Sequence, residues 1–250
     1  MDTCARDFSS CDQRYLVFIY LPLPRHDRIL ALGIRESLKK TRARSILVRS
    51  KLAGDIILGE RHEEEGQVED RLLAASALVM MVYGEQMLGQ RVWYFGAHCR
   101  APSAASGVPR PFGQSHPDLS PLSDRAFFSW GPLRGVSSTQ VFVEHCTGTC
   151  KGILFHYENG AVRAVGQCRL NTDRTESVAQ PTHLVFRTES LSHWQRFRGP
   201  LYAVRVRFER EANVNGNDER FKGWTLREME GILKFWFTHE YSFVAVEGGE

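Results

Sequence analysis

The stretch Gly152–Leu170, GILFHYENGAVRAVGQCRL, constrains the fold of this chain more than any other, because it spells out a β-hairpin with its own turn. Asn159-Gly160 offers the two residues that a two-residue type I′ turn needs at positive φ. Counting outward from that turn pairs Tyr157 with Val162, Phe155 with Ala164 and Ile153 with Gly166 on one face. Each bulky side chain then meets a smaller one, as convergence on a core requires. The other face pairs His156 with Arg163 and Glu158 with Ala161 and reads as half solvated.

The rest of the second half continues in the same style. Further strands are expected at Gln140–Val143, His183–Thr188, Leu201–Phe208, Gly231–Phe237 and Phe243–Val246, besides the hairpin strands Gly152–Tyr157 and Val162–Arg169. The 201–208 segment alternates cleanly, with Tyr202, Val204, Val206 and Phe208 inward and Arg205 and Arg207 outward. GILKFWF at 231–237 is almost wholly apolar and belongs at the centre of a sheet. Asn213–Arg220, NVNGNDER, reads as a polar loop tip.

The first half also reads as strand, at Tyr15–Leu21, Arg28–Ile34, Ser45–Val48, Asp55–Leu58 and Arg91–Phe95. Residues 68–77 carry helix-starting acids and alanines, whereas Leu78–Tyr83, LVMMVY, favours a strand. Between the halves, residues 101–124 hold five of the chain's ten prolines with five serines, a composition that sustains neither helix nor ladder. This divides the chain into an N-terminal β module (1–100), a Pro/Ser-rich linker or long loop (101–124) and a C-terminal β module (125–250). Val92–Arg100 (VWYFGAHCR) echoes Val162–Arg169 (VRAVGQCR), which suits two related modules. The expected fold is mainly β, an antiparallel β-sandwich or β-prism-like architecture with little helix.

A hydrophobic share of 42% suffices for a real core, and a net charge of +3 is too small to argue by itself for a polyanionic partner. The longest early apolar run, Tyr15–Leu23, is half the length of a membrane span and contains Pro22. It reads as a buried strand, with no signal peptide or membrane segment, so an intracellular, cytoplasmic protein with reduced thiols is expected. The first apolar run starts within fifteen residues of Met1, which suits a piece of a longer chain as well as a whole one.

Cys150–Leu170, CKGILFHYENGAVRAVGQCRL, resembles a recurring motif in a large, expanded set of uncharacterised fungal proteins. Met229–Phe237, Pro181–Thr188, Tyr20–Arg35, Leu52–Gly59 and Val82–Gly96 are similar to other elements of that set. The resemblance implies a lineage and no activity. Gly152, Phe155, Tyr157, Gly160 and Gly166 also resemble the strand pair of jacalin-like β-prism lectins. Those lectins bind sugar through a C-terminal G-x-x-x-D loop, and the tail VAVEGGE has no such aspartate. The lectin likeness therefore implies a fold and leaves the sugar site without a counterpart.

His145, Cys146, Cys150 and Cys168 form the densest set of soft ligands, one that tetrahedral zinc would recruit if the hairpin brought them together. The spacing C-x3-C is looser than a zinc knuckle and no second pair follows, so buried free cysteines are the commoner outcome. No nucleophile elbow or catalytic-cysteine signature occurs, and the six carboxylates of Glu60–Asp70 read as a solvated loop. Arg35–Lys51 holds seven basic residues, and Arg196, Arg198, Arg205, Arg207 and Arg210 form a second group; solvated basic faces explain them better than a nucleic-acid track.

Of the five tryptophans, Trp93 and Trp236 fall inside strands and belong to the core. Trp194 and Trp224 lie in loop-like surroundings with Arg196, Asn217, Asp218 and Arg227 near them, the mix of aromatic wall and polar groups that a ligand site uses. The expected role is non-catalytic binding of a protein or carbohydrate ligand through loops at the sheet ends, without a cofactor. The alternative is a hydrolase or zinc-dependent enzyme built on Cys146, Cys150 and Cys168.

Overall fold

The computed structural model describes residues 17–37, 44–59, 68–75, 79–83, 95–99, 121–122, 126–190, 202–210 and 221–248. These are almost entirely antiparallel strand. In the first half, β1 (Ile29–Ser37), β2 (Arg44–Ser50), β3 (Gly54–Gly59) and β4 (Val68–Ala75) form a sheet in the order β3-β2-β1-β4, and β5 (Val79–Tyr83) pairs with β6 (Phe95–Cys99). The second half contains β7 (Phe127–Pro132), β8 (Val136–Val143), β9 (Cys150–Tyr157), β10 (Val162–Gly166) and β11 (Arg174–Ala179). It continues with β12 (His183–Ser190), β13 (Tyr202–Glu209), β14 (Thr225–Glu228), β15 (Ile232–Phe237) and β16 (Ser242–Glu247). Their sheets run β10-β9-β8-β11, β13-β12-β14 and β16-β15-β7. No described helix is long and apolar enough to cross a membrane.

Those three sheets surround one core. Ile153, Phe155 and Val165 meet Leu184, Val204 and Phe208 from the second sheet and Leu233, Phe235 and Phe237 from the third. Phe155 contacts Phe208 edge-on, with ring centres 5.9 Å apart, the geometry that aromatic quadrupoles favour. Burying each such side chain contributes roughly 1.5–3 kcal/mol. The reverse face of β8–β10 is also covered: Phe142, Leu154 and Cys168 pack there with Tyr20. Burial on both faces explains why GILF at 152–155 is a continuous apolar run rather than an alternating one.

The hairpin differs from its sequence reading by one residue. Arg163 faces Phe155 and Val165 faces Ile153, because the loop is three residues long rather than two. The Gly160 N–H donates to the Tyr157 carbonyl (2.9 Å), closing a turn over Glu158 and Asn159, and only Gly160 takes the left-handed φ (81°). Asn159 stays out of that region and its Oδ1 accepts the Ala161 N–H (2.9 Å). A period of two makes any slip of one residue exchange the faces. Arg163, expected on the solvated face, is therefore buried on the Phe155 face at 4% exposure.

The flanking glycines permit a close crossing. A Cβ on Gly152 or on Gly166 would lie 2.6 Å from backbone atoms of Gln167 or Lys151, and Gly166 also has φ 77°. Strand β10 thus ends at Gly166, not at Arg169. The chain turns so that buried Gln167 accepts the Phe18 N–H (3.1 Å) and donates to the Thr238 carbonyl (2.8 Å).

Other readings of the first half meet mixed outcomes. Residues 17–24 form no strand but an irregular segment whose Val17, Tyr20 and Leu21 enter three different apolar clusters. The helical tendency of 68–77 yields to β4, where Asp70 lies opposite Arg35 and receives two guanidinium bonds of 2.7 and 2.8 Å. Of the strand expected at 91–95, residues 91–94 lie outside the described residues, and Phe95 opens β6 (Phe95–Cys99). The echo between 92–100 and 162–169 does not extend to the backbone: Gly96 lies within β6, whereas Gly166 ends β10 in the left-handed region.

Candidate functional site

The sheet β13-β12-β14 presents Leu184, Val204, Val206 and Phe208 to the core, so the alternate positions face outward. The outward rows are Glu189 with Ala203, Arg187 with Arg205, and Val185 with Arg207 and Leu226. His183 closes the face between Glu209 and Glu228. Trp224, two residues before Leu226, lies on the same side, and both the Arg187 and Arg207 guanidinium carbons are 5.3 Å from its ring centre. Stacks of this kind at exposed sites contribute about 0.5–1 kcal/mol each and hold the ring in place.

The charges on this face are unequally committed. Arg187 and Arg205 stand directly opposite, a repulsive pairing. Glu189 resolves it: its Oε1 accepts from Arg187 Nη2 and from Arg205 Nε at 3.2 Å. Those bonds, that from Arg187 foremost, hold the Glu189 carboxyl below the usual carboxylate range. Arg205 is further occupied by the Thr147 carbonyl (3.1 Å). Arg207 is exposed and has no polar partner among the described residues. The Nε of Arg187 is also unbonded, but it is buried.

Sequence reasoning found Trp224 but gave it the wrong neighbour. Arg227 pairs in register with Leu184, one residue away from the Leu226–Val185 row, and therefore falls on the opposite side of the strand from Trp224. Trp194, Arg196, Asn217 and Asp218 lie outside the described residues. Arg187 and Glu189 were missed, although His183, Val185, Arg187 and Glu189 alternate through β12 as plainly as the arginines do through β13.

The soft-ligand set is not assembled. His145 and Cys146 are exposed on the turn between β8 and β9, Cys150 sits in the main core, and Cys168 packs with Phe142 and Leu154 on the reverse face. Among the described residues no three His, Cys, Asp or Glu side chains converge on a metal position. Burial pushes the Cys150 thiol far up and that of Cys168 to about 12, the reverse of what a thiolate ligand or nucleophile needs. Glu144 beside this turn is also committed. Burial alone would raise its pKa, but the Thr147 hydroxyl (2.7 Å), Lys151 (3.3 Å) and Arg169 (3.4 Å) outweigh it and keep the carboxylate ionised.

A second arginine–tryptophan stack lies inside the molecule. Arg163 Cζ is 4.0 Å from the Trp130 ring centre, and its Nη2 donates to the backbone carbonyl of Asp55 in β3. The cleft beside it, between Ile19, Ile56, Trp130 and Ala164, holds about 20 Å³, the room of a single water and too little for a sugar ring. No family model, curated protein or solved structure matches the chain.

Proposed function

We propose that this chain is a non-catalytic binding module that recognises a protein partner through the outer face of the β13-β12-β14 sheet. The observation that carries this reading is Trp224 held beside half-exposed Arg187 and exposed Arg207 on the outer side of this sheet, where Val185 is buried. Tryptophan and arginine dominate the energetic centres of protein interfaces because both bury large area while keeping directional polar contacts. The thiol region supports a structural role rather than hydrolase or zinc chemistry, since its sulfurs are dispersed and two are buried. Free buried thiols suit an intracellular setting. The fungal resemblance of Cys150–Leu170 bears on lineage and leaves this reading as it stands.

The test is selection from a random peptide library on the immobilised protein, with counter-selection on Trp224→Ala. Enrichment that Trp224→Ala abolishes supports the reading. Failure to enrich, or enrichment indifferent to Trp224→Ala, sinks it. A glycan array run on the same two proteins separates the carbohydrate alternative: Trp224-dependent glycan binding would replace the protein reading.

A further inference from the structure

The face around Trp224 is not uniformly basic, and its pattern of charge is more informative than its sum. Glu189 closes one end, Glu209 and Glu228 close the other, and the positive centre spans only the rows of Arg187–Arg205 and Val185–Arg207. Within that centre Arg205 is bound to both Glu189 and the Thr147 carbonyl. The donors left over are those of exposed Arg207 and the outer end of the half-exposed Arg187 fork, whose Nε is unbonded but buried and whose Nη2 is bound to Glu189. Arg187 and Arg207 occupy diagonal positions on neighbouring strands, which a regular antiparallel ladder places about 7–8 Å apart, with the indole in contact range of both. An extended peptide repeats its side chains on one face about every 6.6–6.8 Å, because each residue rises about 3.3–3.4 Å.

Resting on the protein-binding reading above, we infer that Arg187 and Arg207, with Trp224 beside them, bind a short extended segment of a partner that carries carboxylates at alternate positions. Arg207 can meet a carboxylate with two parallel N–H donors, Arg187 offers the second acid only the outer end of its fork, where Glu189 already bonds, and the indole covers the apolar stem beside them. The flanking glutamates set the length. A segment with one or two acids fits between them, whereas a nucleic-acid strand would carry its phosphates past Glu189 or past Glu209 and Glu228 and meet repulsion at either end. Glu189 already bonds Arg187, so it competes with the incoming acid for the same guanidinium.

The experiment is fluorescence anisotropy of the full chain with three labelled probes: a short peptide centred on Glu-Ser-Glu, its Gln-Ser-Gln counterpart, and a short oligothymidylate. The acidic peptide should bind at least about tenfold more tightly than the amide peptide, as expected for charge-assisted over neutral bonds. Its affinity should fall with added salt. Arg207→Gln should weaken it about tenfold, Arg207→Lys should recover only part of that loss, and Glu189→Gln should strengthen it. Melting curves of Arg207→Gln and Arg207→Lys matching the parent chain exclude misfolding, since Arg207 is exposed and has no polar partner among the described residues. Equal binding of the two peptides, indifference to Arg207→Gln, or tighter binding of the oligonucleotide would overturn the inference. The peptide library separates the two failures: Trp224-dependent sequences without acidic bias would keep the protein-binding reading and reject the acidic segment.

Discussion

The molecule stacks arginine on tryptophan twice, and the two stacks have opposite fates. Arg163 lies over Trp130 at 4.0 Å, buried, with its donor spent on the Asp55 carbonyl of another sheet. Arg187 and Arg207 lie near Trp224 at 5.3 Å on the outer side of a sheet, and Arg207 is exposed with no polar partner among the described residues. The same pair of side chains is structural in one place and available in the other. What separates them is whether a backbone acceptor from a distant strand already occupies the guanidinium. Burial also penalises the Arg163 charge and lowers its pKa, a cost that the Asp55 carbonyl and the indole face offset. Residue type alone does not distinguish the two; commitment of donors does.

Substituting each arginine in turn is the most direct way to break this comparison. Arg163→Ala should cost about 3 kcal/mol in urea unfolding, because it opens a cavity and strands the Asp55 carbonyl, whereas Arg207→Ala should change stability by less than about 0.5 kcal/mol. Equal losses would show that the surface stack is structural too. Gly166→Ala comes next: a Cβ there meets the Lys151 carbonyl at 2.6 Å in a left-handed backbone, so a loss above about 1 kcal/mol is expected from the same melts. Glu189→Gln should be milder, about 0.5–1 kcal/mol, since it keeps an acceptor oxygen but removes the negative charge that offsets the opposed Arg187 and Arg205.

Acid titration sharpens the surface side further. The folded pKa of Glu189 is depressed, so its stabilisation is present above the ordinary glutamate value and fades as pH falls through the lowered one. Guanidinium melts of the parent chain and Glu189→Gln should therefore converge toward low pH; curves that stay parallel would refute the assignment. The smallest effect is chemical. Cys146 should react with a thiol reagent in the native state, while Cys150 and Cys168 stay protected until unfolding, as mass spectrometry of the labelled peptides would report.

Strand positions in the second half were legible because alternation and turn residues are local. Tyr202–Glu209 and Ile232–Phe237 fall within a residue of their expected bounds, and Leu233, Phe235 and Phe237 enter the core. What sequence misjudged depends on partners far along the chain. β4 is a strand because it pairs along seven rows of β1, the Arg35–Asp70 ion pair among them, a ladder whose partner lies more than thirty residues away. β7, β11 and β14 escaped notice: the first adjoins the Pro-rich stretch, and the others are short or polar edge strands without an apolar run. The candidate face was half legible. Arg205 and Arg207 announce themselves by period, yet their meeting with Trp224 requires β12 and β14 to be neighbours, a fact of topology that no single stretch records.

The contacts that dock the N-terminal residues onto the second half also bear on the order in which the chain assembles. Phe18 is held by Gln167 across 149 residues of sequence, Leu52 by Asn159 across 107, and Asp55 by Arg163 across 108. A ribosome releases Phe18, Leu52 and Asp55 first, and their partners leave it only after more than a hundred further residues have been made. Whatever the first sheet forms early, its docking surface stays bare until the hairpin is complete. Pairings of such long sequence separation also close slowly, since loop entropy is lost before any contact compensates. Translation thus leaves Val17 and Tyr20, whose apolar clusters are built from second-half residues, uncovered until that half has been made.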